Sequence, residues 1–276
     1  MMITSLTAEA AQAAESGKWD NPELSTLLGS LMDSQGWEEH GACLVDNVPI
    51  QDAATTVEAC SRALGNLLPQ DGAGQIVREV RYRGIGLGEG ATGRYSDSRV
   101  GGNLHTDGPH RQSDPPLIFT LLCVRQSADG GALVLIDIER VVQELDADSF
   151  EVLQSDFLFD QREDNSRPFA RPVLLQSDSG RWQLFYLREY IELGHRHTGS
   201  EALTGAQMSA LNALDRVIDR MVEEPTGHSE IKLEPGQMII VDNRRMLHGR
   251  TAFGDSEEDR DRLMLRTWIG PPAEVR

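Results

Sequence analysis

The sequence predicts a mainly β fold with packed helices, built on a double-stranded β-helix (jelly-roll) core. Three observations carry this. From residue 76 onward, short apolar or alternating runs are separated by glycine and proline turns. Helical periodicity is confined to a few segments that would pack outside such sheets. No break in composition divides the 276 residues, so one domain spanning 1–276 is expected, with an N-terminal helical and strand extension.

Composition narrows the function classes. Hydrophobic residues make up 39% of the chain, enough for a globular core. No apolar run reaches the roughly 20 residues of a membrane span, so no membrane partner is expected. The opening Met1-Met2-Ile3-Thr4-Ser5-Leu6 lacks the basic start and long apolar stretch of a signal peptide. Cys43, Cys60 and Cys123 are few and far apart, and read as buried thiols of a cytoplasmic protein. The net charge of −18 argues against nucleic acid and reads as solubility or salt adaptation. The arginines near His248 suit carboxylates in a pocket, because the guanidinium fork matches a carboxylate. Oligomeric state leaves no signature.

Taken in order, residues 4–16 read as an alanine-rich helix. Residues 22–36 read as a second, with Leu24, Leu27, Leu28, Leu31 and Met32 on one face and Gly36 as its stop. Residues 41–46 form a buried strand, and Asp52 caps a helix over 53–64 ended by Gly65. Residues 77–83 alternate as a strand. The glycine-rich stretch 84–102 is long for a turn and reads as a lid or binding loop. It is no phosphate cradle, since no strand–loop–helix context and no Gly-Lys-Ser/Thr accompany it. A strand over 117–124 follows Pro115-Pro116, and Asp129-Gly130-Gly131 turns tightly into a strand over 132–137. A helical insert covers 138–155, and strands near 172–176 and 182–188 are joined by Asp178-Ser179-Gly180. A second helical insert near 204–222 opens on a Thr204/Gln207 capping box, with Met208, Leu211, Leu214, Val217, Ile218 and Met221 as its buried stripe. Residues 231–233 and 238–242 are expected as a hairpin leading to His248, and 262–269 as the last strand.

The chemistry centres on Leu104-His105-Thr106-Asp107-Gly108. In an extended backbone, residues i and i+2 point to one side, so His105 and Asp107 can reach one metal ion together. His248, in Asn243-Arg244-Arg245-Met246-Leu247-His248-Gly249-Arg250, is the best third ligand. Two histidines and a carboxylate with open positions opposite form the facial triad of non-haem iron(II) oxygenases. Tyr95, Ser96 and Asn103 lie on the loop approaching that metal, and His110 follows it closely, so all four are candidates to face a substrate. Arg188 is a candidate holder of an anionic substrate, with a rim ion pair as its alternative. His195 and His197 read as an exposed loop, and Trp268 as core.

The order of motifs resembles the taurine dioxygenase / clavaminate synthase-like family of iron(II)- and 2-oxoglutarate-dependent oxygenases. Four pieces carry the resemblance: Ala63-Leu64-Gly65-Asn66-Leu67-Leu68-Pro69-Gln70; Leu104 to Gly108; Glu234-Pro235-Gly236-Gln237-Met238 with Asp242 through Phe253; and Arg262-Leu263-Met264-Leu265-Arg266. The resemblance implies His105, Asp107 and His248 as iron(II) ligands and the catalytic centre. It implies Arg262, 14 residues after His248, as partner of the distal carboxylate of the cosubstrate 2-oxoglutarate. Arg266 falls on the same side of the strand, where similar proteins meet either substrate or cosubstrate. The implied reaction uses O2 to oxidise, most often to hydroxylate, an unactivated C–H of a small molecule such as an amino acid, a small acid or a natural-product intermediate, releasing succinate and CO2. An acidic Asp107 opens no halide site and so favours hydroxylation over halogenation. One departure stands out: where the family often has a Thr after the Gly-Gly turn, Gly130-Gly131 is followed by Ala132-Leu133. A metal-dependent hydrolase would use the same triad but need no 2-oxoglutarate anchor; a non-catalytic jelly-roll binding protein would not need the intact triad.

Overall fold

The computed structural model describes residues 1–84, 95–162, 166–254, 256–257 and 261–271; the side chain of Tyr95 also lies outside the described set. The chain opens with β1 (Met2–Ser5), followed by α1 (Ala8–Glu15), α2 (Pro22–Met32), α3 (Gln35–His40), β2 (Ala42–Asp46) and α4 (Ala53–Leu64). Next come β3 (Asn66–Leu68), β4 (Arg78–Val80), a 3-10 turn over Tyr95–Asp97, β5 (Gly102–His105), β6 (Ile118–Arg125) and β7 (Leu133–Asp137). Then α5 (Ile138–Gln143), α6 (Ala147–Leu153), β8 (Asp156–Phe159), β9 (Phe169–Pro172), β10 (Leu174–Gln176), β11 (Trp182–Leu184), α7 (Arg188–Arg196) and α8 (Gly205–Glu223) precede β12 (Ser229–Ile231), β13 (Met238–Asp242), β14 (Met246–Arg250) and β15 (Leu263–Gly270).

Two sheets carry the architecture. One has seven strands, ordered β1-β2-β13-β6-β15-β3 with β4 also paired to β15; the other is ordered β12-β7-β14-β5. Side chains alternate cleanly between layers. Leu44, Phe119, Leu121, Ile239, Val241 and Trp268 of the large sheet meet Leu133, Leu135 and Met246 of the small one in a single cluster between the sheets. The opposite set, including Cys43, Val45, Leu122, Met238 and Ile240, packs under α1, α2 and α4. Val134, Ile136 and Leu247 pack under α5, α6 and α8. Because both faces are covered, these strands read as unbroken apolar runs.

Several expectations are corrected. Residues 2–5 form an edge strand rather than the start of a helix, because they pair in parallel with Cys43–Asp46. The helix over 22–36 ends at Met32, and Gly36 lies inside α3; the stop is Gly41, in the left-handed region. The alternating run 77–83 forms a ladder only at Arg78–Val80. The hairpin expected over 231–242 is instead a crossing, since β12 and β13 lie in different sheets, and the Asp129-Gly130-Gly131 turn likewise leads from β6 in one sheet to β7 in the other. The helical insert over 138–155 is two helices, and Met208 is 37% exposed rather than part of the stripe on α8, whose capping box is present. β8, β9 and α7 were not expected. Within the long loop 84–102, residues 85–94 lie outside the described set. No helix among the described residues is long and apolar enough to cross a membrane.

The Gly130-Gly131 crossing is sterically exacting. Gly130 has φ +64, and a Cβ there would lie 1.8 Å from the Ala252 carbonyl oxygen. Gly180 has φ +83 but nothing within 4 Å. Gly130→Ala should therefore destabilise the fold by at least about 2 kcal/mol, and Gly180→Ala by about 1 kcal/mol, as read by urea unfolding. Equal costs at the two sites would contradict the packing described.

Candidate active site

The small sheet and one segment beside it bring the triad together. β14 pairs with β5 so that His248 lies opposite His105. The two rings sit 4.4 Å apart, and the other side of His248 meets Phe119 at 4.2 Å. His105 Nδ1 donates to the Asn103 carbonyl at 2.8 Å, which makes Nε2 the acceptor nitrogen of the ring and the candidate metal ligand. Asn103 presents that carbonyl from a left-handed backbone, φ +51, which Asn tolerates better than most residues. Asp107 follows β5 in irregular chain. Asn243 grips its peptide: the Asp107 N–H donates to Asn243 Oδ1 at 2.7 Å, and Asn243 Nδ2 donates back to the Asp107 carbonyl at 3.0 Å.

Candidate ligand atoms from His105, Asp107 and His248 all lie within 4.8 Å of one another. The two oxygens of Asp107 differ. Oδ1 accepts from Arg266 Nη1 at 2.7 Å, whereas Oδ2 is buried, has no hydrogen-bond partner among the described residues, and lies 3.6 Å from His248 Nε2. Burial alone would raise the Asp107 carboxyl, but the Arg266 guanidinium and then the two histidines outweigh it and hold it below the usual carboxylate range. Burial lowers His105 below an ordinary imidazole. It takes His248 down to about 3, helped by neighbouring His105. Two neutral imidazoles and one ionised carboxylate with an orphaned oxygen are a donor set that fits a divalent transition metal.

A cavity opens from this triad. Its walls include Val80, Phe119, Leu121, Leu133, Leu187 and Trp268, with Ser96, Asn103, His110, Glu189 and Tyr190 among its polar members. Ser96, Asn103 and His110 thus line the same cavity as the triad, His110 edge-on to Tyr190 at 4.9 Å. Tyr95 opens the 3-10 turn, and its side chain is outside the described set. Arg188 is corrected: it is not in the cavity wall. Its guanidinium is held by Glu192, Asp215 and Asn212, where the Tyr186 hydroxyl also meets Asp215. His195 is corrected too. It is buried on α7, accepting from the Leu158 N–H at 3.0 Å and paired through Nδ1 with the Glu201 carbonyl, a structural role.

Arg262, just before β15, and Arg266, on it, both reach the cavity wall. Arg266 bonds Asp107 at one end and Gln70 Oε1 at 2.9 Å at the other, while Gln70 Nε2 donates to the Ile76 and Arg266 carbonyls. Arg262 is 3% exposed, donates to Gln126 and to the Gly131 carbonyl, and leaves Nη1 buried without a partner among the described residues. Burial lowers the Arg262 guanidinium to about 9, and nearby Arg250 adds to the shift. Of the arginines near His248, Arg244 pairs with Asp242 and Arg245 caps the Trp37 and Glu38 carbonyls; only Arg250 joins the cavity. Sequence reasoning gave no individual role to Asn243, Gln70 or Arg250, although all three lie inside the motifs quoted. It passed over Glu189 and Tyr190, because the helix that presents them was not recognised.

Known proteins resemble this chain along most of its length. FR-33289 synthase of Streptomyces rubellomurinus is 27% identical over 216 residues, 75% of this chain and 60% of that protein. A uridine-5'-phosphate dioxygenase of an Amycolatopsis species is 25% identical over 279 residues, 92% of this chain and 91% of that protein. The chain therefore spans about 60% of the length of the first relative and nearly all of the second. The structure of asparagine oxygenase with Fe(II), 2S,3S-3-hydroxyasparagine and succinate superimposes with a TM-score of 0.71 at 19% identity, covering 99% of this chain and 94% of that one. The non-heme iron oxygenase OrfP with Fe and alpha-ketoglutaric acid does so with 0.68 at 16% identity, covering 97% and 93%. The family model described as "Taurine catabolism dioxygenase TauD, TfdA family" matches residues 6–268, and the chain belongs to that family.

Proposed function

We propose that the chain is an iron(II)- and 2-oxoglutarate-dependent dioxygenase that oxidises, most often by hydroxylation, an unactivated C–H of a small molecule, and that its two sheets form a double-stranded β-helix core in one domain. The observation that carries the reading is the pairing, in one cavity, of the His105/Asp107/His248 cluster with the buried Arg262, whose Nη1 has no partner among the described residues. A metal hydrolase would have no use for such a cation at that end. Three buried free thiols suit the reducing cytoplasm. The name of asparagine oxygenase makes an amino acid the leading substrate class, and the name of uridine-5'-phosphate dioxygenase keeps a nucleotide in view.

The residues divide the work by chemistry. His105 Nε2, His248 Nε2 and Asp107 Oδ2 would hold iron(II), and when bound the metal with 2-oxoglutarate and O2 supplies the oxidising power. Arg266 occupies Asp107 Oδ1 and so reserves the other oxygen for the metal. Arg262 would take the distal carboxylate of 2-oxoglutarate through its unpartnered edge. Phe119, Leu121 and Trp268 keep the inner wall apolar. Ser96, Asn103, His110, Glu189 and Tyr190 would face the prime substrate.

Purified protein with iron(II), 2-oxoglutarate and a panel of amino acids and nucleotides should form succinate only when O2 is present. His105→Ala, Asp107→Ala and His248→Ala should each lose bound iron and this activity while keeping a wild-type circular dichroism spectrum. Full iron occupancy in all three would sink the assignment.

Metal affinity should resist acid. Two ordinary imidazoles near pKa 6.5 would weaken metal binding roughly 100-fold on going from pH 7.5 to 5.5, because both ligands must be neutral. Burial holds both histidines below that value, so proton competition at them should cost clearly less than this over the same range. Titration with cobalt(II) at the two pH values distinguishes these outcomes.

Arg262→Ala should weaken 2-oxoglutarate binding about 30- to 1000-fold, from the loss of a buried charge-assisted contact, and Lys should recover only part. Arg266→Ala should instead leave 2-oxoglutarate affinity closer to wild type, because Arg266 spends its charge on Asp107 Oδ1. Anaerobic calorimetric titration of the metal-loaded proteins gives the comparison. Wild-type 2-oxoglutarate affinity in Arg262→Ala would exchange the two roles or remove the cosubstrate.

A further inference from the structure

We infer that Asn103 is a positioning residue for the metal centre and acts through its backbone, by making a bulge in β5 that turns its carbonyl onto the His105 ring. The inference rests on the iron reading above and deepens it. The ladder between β5 and β14 is interrupted beside the ligands. His248 lies opposite His105, but Arg250 lies opposite Gly102, where an unbroken antiparallel register would place Asn103. β5 therefore carries one extra residue against Gly249, which makes a β-bulge. The backbone angles agree: Gly102 has φ +89 and Asn103 φ +51, both outside the extended region of a strand.

In a regular strand a carbonyl lies near the plane of the sheet and serves the ladder, not a side chain two residues on. At Asn103 it accepts from His105 Nδ1 instead, at 2.8 Å. That bond sets which ring nitrogen carries the proton and orients the ring with Nε2 as the ligand. His248 has no equivalent. Its Nδ1 is buried without a partner among the described residues, and its ring packs between His105 at 4.4 Å and Phe119 at 4.2 Å. One carbonyl thus orients the first imidazole directly and the second by contact with it. The opposing strand is fitted to the same bulge: a Cβ on Gly249 would lie 2.8 Å from the Gly102 carbonyl oxygen and 3.2 Å from the Leu104 side chain. Asn103 also lines the cavity, so this position joins a left-handed backbone to a polar side chain, a combination that asparagine tolerates well.

The rival role is a contact of the Asn103 side chain with the substrate and no part in the metal site. Glycine and valine separate the two. Both remove the side-chain amide, but glycine takes a positive φ freely and a β-branched residue resists it. Cobalt(II) dissociation constants would be measured by calorimetry on wild type, Asn103→Gly, Asn103→Ala and Asn103→Val, with the cobalt absorption spectrum and melting temperature of each. Asn103→Gly should bind cobalt(II) within about 3-fold of wild type and with its spectrum, because the carbonyl stays in place. Asn103→Val should bind about 10- to 100-fold more weakly and with an altered spectrum, the loss expected when a partner of a ligating histidine is removed. Asn103→Ala should fall between, and gives the same comparison if the Val variant does not fold. Equal losses in the Gly and Val variants, or a lowered melting temperature with wild-type cobalt(II) binding in the Val variant, would overturn the positioning role and leave the iron reading intact. If wild type itself bound no cobalt(II), the iron reading and this inference would fall together.

Discussion

The side-chain amide of Asn243 is the joint on which the site depends. It pairs with the Asp107 peptide in both directions and donates as well to the Pro116 carbonyl at 2.8 Å. His105 and His248 are related by a β ladder, which fixes their spacing through ordinary strand geometry. Asp107 has left the ladder and has no such support. Asn243, in the turn between β13 and β14, ties it to the segment that delivers His248. From the other side Thr106 donates through its N–H to the Tyr186 carbonyl and through its hydroxyl to the Leu184 carbonyl. Each of these buried bonds, left unmade, would cost about 1–3 kcal/mol, so the carboxylate is held by terms comparable with a good share of a domain's net stability.

Side-chain placement is tightened by a shorter relay. Gln70 is buried and fixes Arg266, and Arg266 fixes one oxygen of Asp107. The two halves of the carboxylate are thereby made chemically unequal before any ligand arrives. Such preorganisation avoids a reorientation when the cation binds. It also explains why Arg266 and Arg262, four residues apart, on β15 and just before it, present such different surroundings: one spends its charge on a neighbouring carboxylate, the other is buried beside another cation.

The sequence was most legible where the physics is local. Asp52 and the Thr204/Gln207 box cap their helices as their side-chain chemistry requires, and the His-x-Asp motif brings both residues to one cavity although Asp107 lies beyond the strand. Non-local pairing was less legible. Gly130-Gly131 and Glu234-Pro235-Gly236 look like hairpin turns, because a turn's residues specify its tightness and not the sheet to which the next strand goes. β1 was hidden since Met2–Ser5 becomes a strand only beside β2. α7 was hidden for a related reason: its first residues follow a strand-like run, and Leu187 supplies no side-chain cap. Arg188 looked like a substrate anchor because its partners, Asp215 and Asn212, come from α8 and are distant in sequence. Asn243 and Gln70 lay in plain view, but their importance comes from what they touch.

The parallel edge strand β1 has a consequence beyond the site. β2 is buried along Ala42–Val45 and contributes to the core on both faces. Without β1, its outer row of N–H and C=O groups would form an open border on a continuous apolar ribbon, a ready template for pairing with another chain. β1 closes that border with only four residues, and its outward side chains include the 59% exposed Ile3. The border is thus shielded by a short element held mainly through its backbone, and fraying there would expose that template.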